Sequence, residues 1–400
     1  MSSICRVFAR AVAVLALAWA SAATAQSDKP IVIGSTLPLT GPLQTLGAVV
    51  REANEQAVAD INAAGGVKVG NVMRKVQYKV MDNRSDPNLV TQQARTLVLE
   101  QGAVALLGSF TPPLSIPLSN VAEQLQVPAI FSNTPVEGWQ AANPKGWRYA
   151  WDVFVAETQM TALHYGAAAL ANTNKRVALF TDTEDDGVVF GRLWEQEAAK
   201  QGFTVAYRAK FPIGTVDFNQ FIQGAKSANA DVLLAIMIPP DGLALWKQMK
   251  ALGYSPKVAA CEKCAHTVAW PKVLGELGQG SLMFGWWSPE ARHPGTDRVL
   301  AVWRGKYGMT TDLETVATNY AVANILFDAI RRAGSADPKA INKAIGQTDG
   351  PTGVGAVKFS RNAALVPAFM RQWQGDKQVQ VFPAGPASLK MLAPLPGFAK

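Results

Sequence analysis

Short apolar segments alternate with amphipathic ones along almost the whole chain. Ile31 to Leu37 is an apolar run that ends at a turn rich in Pro and Gly, and apolar residues then recur at helical spacing from Leu46 to Ile61. Two more apolar runs, Val76 to Met81 and Ala103 to Leu107, flank a segment with a helical pattern over Asn88 to Glu100. Strands joined by crossover helices form a parallel sheet whose two faces are both covered. The alternation therefore predicts an α/β fold.

The same alternation starts again in the second half of the chain. Arg176 to Thr181, Thr204 to Phe211 and Val232 to Met237 predict further strands, each separated from the next by a helical pattern. A chain of 400 residues, 48% of them hydrophobic, is long and apolar enough for more than one core. We therefore expect two lobes, with the change between them near Tyr149 to Val153. The Pro-rich end from Pro383 to Pro396 predicts a surface tail.

The N-terminus has the three parts of a secretory signal peptide. Arg6 and Arg10 supply a basic start, an apolar run follows from Ala11 to Ala20, and Ala23-Thr24-Ala25 has the small residues of a cleavage site. The apolar run is far shorter than the ~20 residues of a transmembrane helix. Residues 1–25 are therefore predicted to be a cleaved signal peptide. The mature chain is expected to be periplasmic and not to span the membrane.

The charge distribution and the missing motifs argue against several function classes. The formal net charge is +8, but Lys and Arg are scattered and no more than two are adjacent. A nucleic-acid-binding protein would concentrate them on one face, so we expect no nucleic-acid partner. The sequence has no phosphate-binding loop, dinucleotide fingerprint, nucleophile elbow or paired-histidine zinc motif. These features favour a binding protein over an enzyme, and they predict no cofactor and no metal.

Two cysteines, Cys261 and Cys264, remain once the signal peptide is removed. Exported proteins tend to have oxidised cysteines, so the C-x-x-C spacing predicts a local disulfide, with free or buried thiols as the main alternative. Glu262 and His266 lie nearby, but a closed zinc site needs four good ligands. The chain has no second Cys pair to complete one.

An acidic cluster, Asp182-Thr-Glu184-Asp-Asp186, follows a predicted strand. Parallel sheets bind ligands at the carboxyl ends of their strands, so the cluster has the composition of a divalent-cation site. A solvated loop that caps the next helix is the simpler interpretation. His164 lies on a predicted helix, where we expect a surface or packing role rather than that of a base.

A series of short motifs is collinear with those of a known family. Ile31-Val-Ile-Gly34 and Leu39-Thr-Gly-Pro42 are followed by Ala59-Asp-Ile-Asn-Ala-Ala-Gly-Gly66 and by Ser85-Asp-Pro87, and the likeness continues to Lys247-Gln248. The series resembles the branched-chain amino-acid-binding proteins, which are type I periplasmic solute-binding proteins of ABC importers. The resemblance covers nearly all of the mature chain.

The resemblance implies two Rossmann-like lobes with parallel sheets, joined by a three-crossover hinge, that close on a ligand. The N-terminal lobe would comprise residues 28–150 and 289–365, and the C-terminal lobe residues 151–288 and 366–400. A ligand that contacts both lobes favours the closed state by its differential affinity, so no chemistry is needed.

The resemblance also implies ligand-binding positions in the cleft. Thr111, in the loop after the third strand, matches the place where the family binds a ligand carboxylate, although Pro112 replaces a common Ser. Ser132, Asn133 and Thr134 lie in a loop similar to the family's small hydroxyl loop, and an ordinary turn is the alternative.

Aromatic and acidic positions complete the implied site. Phe190 corresponds to an aromatic residue at a helix start in the family, and its ring is expected to line the cleft. Glu262 aligns with the acidic residue that holds the ligand ammonium group in the amino-acid binders; an exposed acid beside the cysteines is the alternative. Trp139, Trp286 and Trp287 fall in predicted loops, either as an aromatic wall or as packing between the lobes.

The expected function is that of an ABC importer's solute-binding subunit. It would take a small amino acid or a related carboxylate, including an aromatic acid, and deliver it to the membrane permease subunits. Two alternatives belong to other classes. Similar lobes serve in proteins that pass a ligand to a membrane receptor, and an exported hydrolase would use the acids between Asp182 and Asp186.

Overall fold

The computed structural model describes residues 29–385 and 388–398. The predicted signal peptide, residues 1–25, lies outside the described residues. Among the helices within those two ranges, none is both long enough and apolar enough to cross a membrane.

Strands and helices alternate as the sequence predicts. The first elements are β1 (Ile31–Leu37), α1 (Gln44–Ala63), β2 (Val67–Val69), β3 (Val72–Arg74), β4 (Val76–Asp82), α2 (Pro87–Leu99), β5 (Ala105–Leu107), α3 (Pro112–Leu125), β6 (Ala129–Phe131), α4 (Val136–Ala141) and β7 (Ala150–Phe154). The next are α5 (Glu157–Ala168), β8 (Arg176–Asp182), α6 (Asp185–Lys200), β9 (Thr204–Phe211), α7 (Asn219–Ser227), β10 (Val232–Met237), α8 (Pro239–Ala251), β11 (Val258–Lys263), α9 (Ala269–Leu274) and β12 (Leu282–Gly285). The last are α10 (Thr296–Tyr307), α11 (Thr311–Ala333), α12 (Pro338–Gly346), β13 (Asp349–Thr352), β14 (Gly355–Lys358), β15 (Ala363–Leu365), β16 (Phe369–Gln374) and β17 (Lys377–Phe382).

These strands form two large sheets. The first sheet has the order β15-β7-β6-β5-β1-β4 and is parallel throughout. The second has the order β17-β16-β12-β11-β10-β8-β9, in which β16 and β17 form an antiparallel edge on an otherwise parallel sheet. The predicted α/β fold with parallel sheets is confirmed. The chain passes between the sheets three times: after β7, between β12 and β15, and between β15 and β16.

Local sequence signals explain where these elements begin and why the strands are apolar. All six residues of β10 are buried, because helices cover both faces of its sheet. At the start of α2, the Asp86 carboxylate accepts a hydrogen bond from the Asn88 N–H at 2.8 Å, and Pro87 occupies the first helical position. Helix α8 begins at Pro239, since Pro is well tolerated in the first turn of a helix.

The C-terminal segment lies on the surface, as predicted, at Pro383, Pro394 and Pro396, but it is anchored at its end. Leu395 is 1% exposed and Phe398 is 3% exposed, and both belong to the apolar cluster on one face of the second sheet. The Lys250 ammonium donates to the Gly397 carbonyl at 2.9 Å. The segment is therefore not a free tail, because burying two large apolar side chains holds its end against the sheet.

Candidate functional site

A cavity of about 50 Å³ lies where strand ends of both sheets meet. The first sheet contributes the segments that follow β5 and β6, and the second contributes the ends of β10, β11 and β12. Loops converge at the carboxyl ends of parallel strands, which is why α/β proteins commonly bind ligands there. The polar residues that line the cavity are Thr111, Asn133, Asp186, Glu262, Lys263, His266, Thr311, Asp312 and Thr315.

The predicted ligand-binding residues divide into two groups. Thr111, Asn133, Phe190 and Glu262 line the cavity, although they come from four different segments of the chain. The structure therefore brings these four side chains together around one space.

Ser132 and Thr134 are buried but do not line the cavity. The Ser132 hydroxyl donates to the Val153 carbonyl at 2.8 Å, and the Thr134 hydroxyl donates to Ser115 Oγ at 2.7 Å. Both hydroxyls are thus occupied within the protein, and they support the loop rather than face a ligand.

Thr111 and Asn133 have polar groups without internal partners. Thr111 Oγ1 and Asn133 Nδ2 are buried and have no hydrogen-bond partner among the described residues, while Asn133 Oδ1 accepts from Asn319 Nδ2 at 2.7 Å. Both backbones have positive φ, +65° at Thr111 and +60° at Asn133. A β-branched residue is strained in this region, and such strain concentrates at ligand-binding sites. The two open groups are suited to an acceptor such as a carboxylate or a carbonyl.

Glu262 is engaged on both carboxylate oxygens. Oε1 lies 2.5 Å from His164 Nε2 and accepts from the Phe284 N–H at 3.1 Å, and Oε2 lies 2.7 Å from His266 Nε2. Burial alone would raise the pKa of Glu262, but the charges and hydrogen bonds of His164 and His266 outweigh burial and hold that pKa at about 2. The expectation that His164 packs in the interior fits its full burial, and a surface position is excluded.

The partners of His164 define where its protons lie. His164 Nδ1 is 2.7 Å from the Met160 carbonyl, which only accepts, and 3.4 Å from the Trp194 indole N–H, which only donates, and the shorter contact places a proton on Nδ1. Nε2 faces the Glu262 carboxylate at 2.5 Å, and a proton must lie between these two atoms as well. Both ring nitrogens of His164 are thus held by buried partners, and one of these partners is Glu262.

Lys263 lies at the centre of the acidic cluster. Its ammonium is 3.0 Å from Asp182, 3.3 Å from Glu184 and 3.1 Å from Asp186. Burial works against the charged form of Lys263, yet the three carboxylates raise its pKa well above the usual range. Asp182 and Asp186 are buried, so the interpretation as a solvated loop was wrong. The carboxylates have the spacing of a cation site, but an internal ammonium contacts all three of them.

Asp312 lies in the first turn of α11 and lines the same cavity. It is 7% exposed, and its Oδ2 accepts one hydrogen bond, from the Val268 N–H at 3.3 Å. Burial raises the pKa of Asp312 to about 6, and the Val268 N–H and the more distant Lys272 offset part of that rise. No basic side chain within the described part of the chain forms an ion pair with it.

Aromatic rings form the apolar part of the cavity wall. Phe110, Phe154, Phe190, Phe284 and Trp286 all line it. The Trp286 ring lies edge-on to Phe154, with centroids 5.0 Å apart, and is nearly parallel to the His266 ring at 5.8 Å. One predicted tryptophan is therefore part of the wall.

The other two tryptophans have packing roles. Trp139 belongs to α4 rather than to a loop, is fully buried and stacks on Trp147 with centroids 5.4 Å apart. Trp287 donates from Nε1 to the Gly353 carbonyl at 3.0 Å. Neither residue lines the cavity.

A buried ion pair supports the wall that carries Trp286. Arg371 on β16 lies 2.8 Å from Glu314 Oε1 on α11, and the same oxygen accepts from the N–H groups of Trp286 and Trp287 at 3.2 and 3.1 Å. Burial raises the pKa of Glu314 to about 7, although the Arg371 charge opposes the rise. The pair joins the second sheet to the helix that carries Asp312.

A family model described as a periplasmic binding protein matches residues 30–378. The chain belongs to this family. Leu/Ile/Val-binding protein homolog 7 of Brucella abortus (strain 2308) is 27% identical over 403 residues, which cover 95% of this chain and 98% of the relative. The resemblance to branched-chain amino-acid-binding proteins is thereby confirmed.

Solved structures of periplasmic binding proteins share the fold. The leucine-binding protein LivK from Thermotoga maritima MSB8 has a TM-score of 0.79 at 22% identity and covers 89% of this chain and 99% of its own. An ABC-transporter solute-binding protein from R. palustris in complex with benzoate has a TM-score of 0.76 at 17% identity and covers 91% and 99%. At these identities the likeness shows the fold alone.

In this periplasmic binding protein, several cavity residues lie outside the set predicted from sequence. Asp312 and Lys263 were not predicted, and His164 and His266 were not assigned to the cleft. Asp312 shows only the acidic character common in the first turn of a helix. Lys263 follows Glu262 at the end of β11 and has a φ of +62°, a departure from regular strand geometry that the sequence does not signal.

The cysteines of this family member lie behind the cavity wall. Cys261 and Cys264 are fully buried, with their sulfur atoms adjacent and their Cα atoms 5.7 Å apart. This Cα separation is typical of a disulfide, and the oxidised state stays a prediction.

A larger groove, about 520 Å³, lies beside α10, α11 and the β13–β14 hairpin. Its charged residues include Asp328 and Arg332, which pair with each other at 2.6 Å. The groove has no set of converging unpartnered groups like those of the smaller cavity, which is therefore the better candidate for the solute site.

Proposed function

We propose that this chain is the periplasmic solute-binding subunit of an ABC importer, and that its solute is a small amino acid or a related carboxylate. The observation that carries the proposal is the pair of open groups at the cavity, Thr111 Oγ1 and Asn133 Nδ2. Each donates to a carboxylate oxygen when a solute is bound. The aromatic side chains accommodate an apolar body.

The arrangement of the two sheets supports capture by closure. We propose two lobes, residues 28–150 with 289–365 and residues 151–288 with 366–400, although β7 (Ala150–Phe154) pairs within the first sheet and moves that boundary slightly along the chain. A solute between them contacts side chains from both sheets and favours the closed state. A cavity of about 50 Å³ suits a small solute, and a larger one requires the lobes to open further.

Supporting precedent comes from the relatives. A homologue is named for leucine, isoleucine and valine, and a structural neighbour holds benzoate. Both kinds of compound combine a carboxylate with a compact apolar group. We propose that this chain binds a member of that class and releases it unchanged to a membrane permease.

A thermal-shift screen tests the proposal directly. The panel contains L-valine, L-leucine, L-phenylalanine, benzoate and 3-phenylpropionate, with glucose and isobutanol as compounds without a carboxylate. A compound present at a hundred times its Kd stabilises the folded state by about 2.7 kcal/mol and raises the Tm accordingly. We expect at least one carboxylate to raise the Tm and both controls to leave it unchanged. A panel without any shift would overturn the proposed solute class.

Two further measurements separate transport from the other function classes. Proton NMR of the best panel compound after prolonged incubation with the protein should show full recovery, whereas consumption would indicate an enzyme. Deleting the gene should lower cellular uptake of that compound, and re-expression should restore it. Unchanged uptake would exclude the importer role and favour a sensor.

A further inference from the structure

Asp312 differs from the other acids of the cavity wall. Asp186 is 3.1 Å from the Lys263 ammonium and Glu262 is 2.5 Å from a ring nitrogen of His164. Among the residues that the structure describes, Asp312 is the acid of this wall that has no basic partner. A carboxylate that is 7% exposed loses most of its hydration, so it gains strongly from a cation at the same place.

Glu262 is poorly placed to provide that interaction. Its two oxygens accept from His164, His266 and the Phe284 N–H. Both oxygens already accept hydrogen bonds inside the protein, so an ammonium group beside Glu262 would have to compete with two histidine rings and a backbone N–H for them.

The proposal rests on the proposed function and adds the charge of the solute. We propose that the cavity selects a solute with a positively charged amino group, and that Asp312 rather than Glu262 binds this group. A solute with a carboxylate at Thr111 and Asn133 and an ammonium group at Asp312 is a zwitterion. The structure thus favours amino acids over the corresponding simple acids.

Two other features of the wall favour a cation. Asp182, Glu184 and Asp186 share the single ammonium of Lys263, so this cluster adds negative potential at the cavity. The aromatic side chains of Phe154, Phe190, Phe284 and Trp286 line the same space, and aromatic rings are able to attract cations.

Matched probes isolate each charged group of the solute. L-valine, isovalerate and isobutylamine share one branched body. L-valine carries both charges, isovalerate the carboxylate alone and isobutylamine the ammonium alone. L-phenylalanine, 3-phenylpropionate and phenethylamine form a second set of the same kind. Calorimetry measures their Kd values for the wild type, Asp312→Asn, Glu262→Gln and Asp328→Asn. Asp328 lies on the same helix, α11, but outside the cavity, so its variant is the matched control.

We expect the wild type to bind the amino acid of at least one set roughly ten to a hundred times more tightly than its simple acid, because a charge-assisted contact contributes about that much. In Asp312→Asn this preference should fall below about threefold, while Glu262→Gln and Asp328→Asn should keep it. Far-UV circular dichroism and the unfolding transition establish that each variant is folded.

Three results would overturn the proposal. If the wild type binds the simple acids as tightly as the amino acids, the solute class stands and the cation preference fails. If Glu262→Gln abolishes the preference and Asp312→Asn retains it, the ammonium group lies at Glu262. If no probe of either set binds the wild type, the proposed function fails together with this inference.

Discussion

The two walls of the cavity satisfy their polar groups in different ways. The wall from the first sheet carries neutral groups, Thr111 Oγ1 and Asn133 Nδ2, that have no partner among the described residues. The wall from the second sheet carries charges, and each has internal partners: Glu262 is bonded to two histidine rings and Lys263 to three carboxylates. An unpartnered charge costs far more free energy to bury than an unpartnered hydroxyl. The charged side chains of this wall therefore need bonding partners within the protein.

This difference separates folding from binding. Groups with internal partners contribute to the stability of the folded state, whereas groups without them are available to a solute. Asp312, which lies on α11 rather than on the second sheet, is an acid of the cavity without a basic partner among the described residues. We therefore expect substitutions at Glu262 and Lys263 to change mainly stability, and substitutions at Thr111 and Asp312 to change mainly affinity.

The largest effect is expected from Lys263→Met. Removing the ammonium leaves Asp182, Glu184 and Asp186 as neighbouring buried carboxylates, and breaking a buried ion pair costs about 3–5 kcal/mol. Urea unfolding at pH 7 measures the loss. The deficit should shrink at pH 5, because burial raises the pKa of Glu184 to about 7 and this carboxyl is then protonated.

The control for this variant is Lys358→Met. Lys358 pairs with Asp349 at 2.7 Å on the exposed β13–β14 hairpin, where an ion pair contributes little. No measurable change in unfolding is expected. An equal loss of unfolding free energy in the two lysine variants would contradict the role of Lys263 as the internal partner of the three carboxylates.

Glu262→Gln should be the next largest in effect. Its pKa is held at about 2 against about 4.3 in an unfolded chain, which corresponds to about 3 kcal/mol of stability. A depressed carboxyl pKa stabilises the folded state above the unfolded pKa, and the contribution disappears as the pH falls from about 4.3 to about 2. The difference between wild type and variant in urea unfolding should therefore be constant near neutrality and vanish in acid.

Glu55→Gln provides the comparison for Glu262→Gln. Glu55 is exposed and pairs with Arg51 one helical turn away, so its loss should leave the unfolding curve nearly unchanged. If Glu262→Gln also left the unfolding curve unchanged, the bonds to His164 and His266 would not contribute to the stability of the folded state.

Much of the fold follows from local sequence. Val232–Met237 forms the predicted strand because an uninterrupted apolar run suits a strand buried on both faces. The start of α2 follows from Asp86 and Pro87 because capping depends on neighbours in the chain. Thr111, Asn133, Phe190 and Glu262 reach the cavity because each lies near a strand end, which the alternating pattern and the family resemblance locate.

Pairings across the fold are beyond local sequence signals. Glu262 and His164 are 98 residues apart, and the N–H group that bonds to Asp312 is 44 residues away. The spacing of residues along the chain does not predict which carboxylate will contact a basic side chain in the folded structure. That information depends on how α5 and α11 pack against the ends of the second sheet.

Thr111 allows stability and affinity to be separated on the neutral wall. Thr111→Val keeps the strained backbone and removes the hydroxyl, so the affinity for L-valine should fall about tenfold with little change in unfolding. Thr111→Gly also removes the hydroxyl but relieves a φ of +65°, which costs about 1–3 kcal/mol in a residue other than glycine. This variant should be at least as stable as the wild type and bind as weakly as Thr111→Val.

Thr134→Val is the matched change at a buried threonine that does not line the cavity. Its hydroxyl is bonded to Ser115 Oγ at 2.7 Å, so its removal should lower stability by about 1 kcal/mol and leave the affinity for L-valine unchanged. The reverse pattern, with weaker binding in Thr134→Val and intact binding in Thr111→Val, would show that the ligand-facing hydroxyl has been assigned to the wrong residue.

The smallest expected effect is the pH dependence of L-valine binding. Burial raises the pKa of Asp312 to about 6, so about a quarter of the free protein has this carboxylate ionised at pH 5.5 and the affinity should fall about fourfold from its value at pH 7.5. L-valine itself does not titrate in this interval, but burial raises the pKa of Glu184, in the neighbouring acidic cluster, to about 7. Asp312→Asn removes the step that belongs to Asp312 and leaves any contribution of Glu184. Calorimetric Kd values across the interval should therefore be flatter in the variant, and an equal slope in both proteins would place the ammonium group away from Asp312.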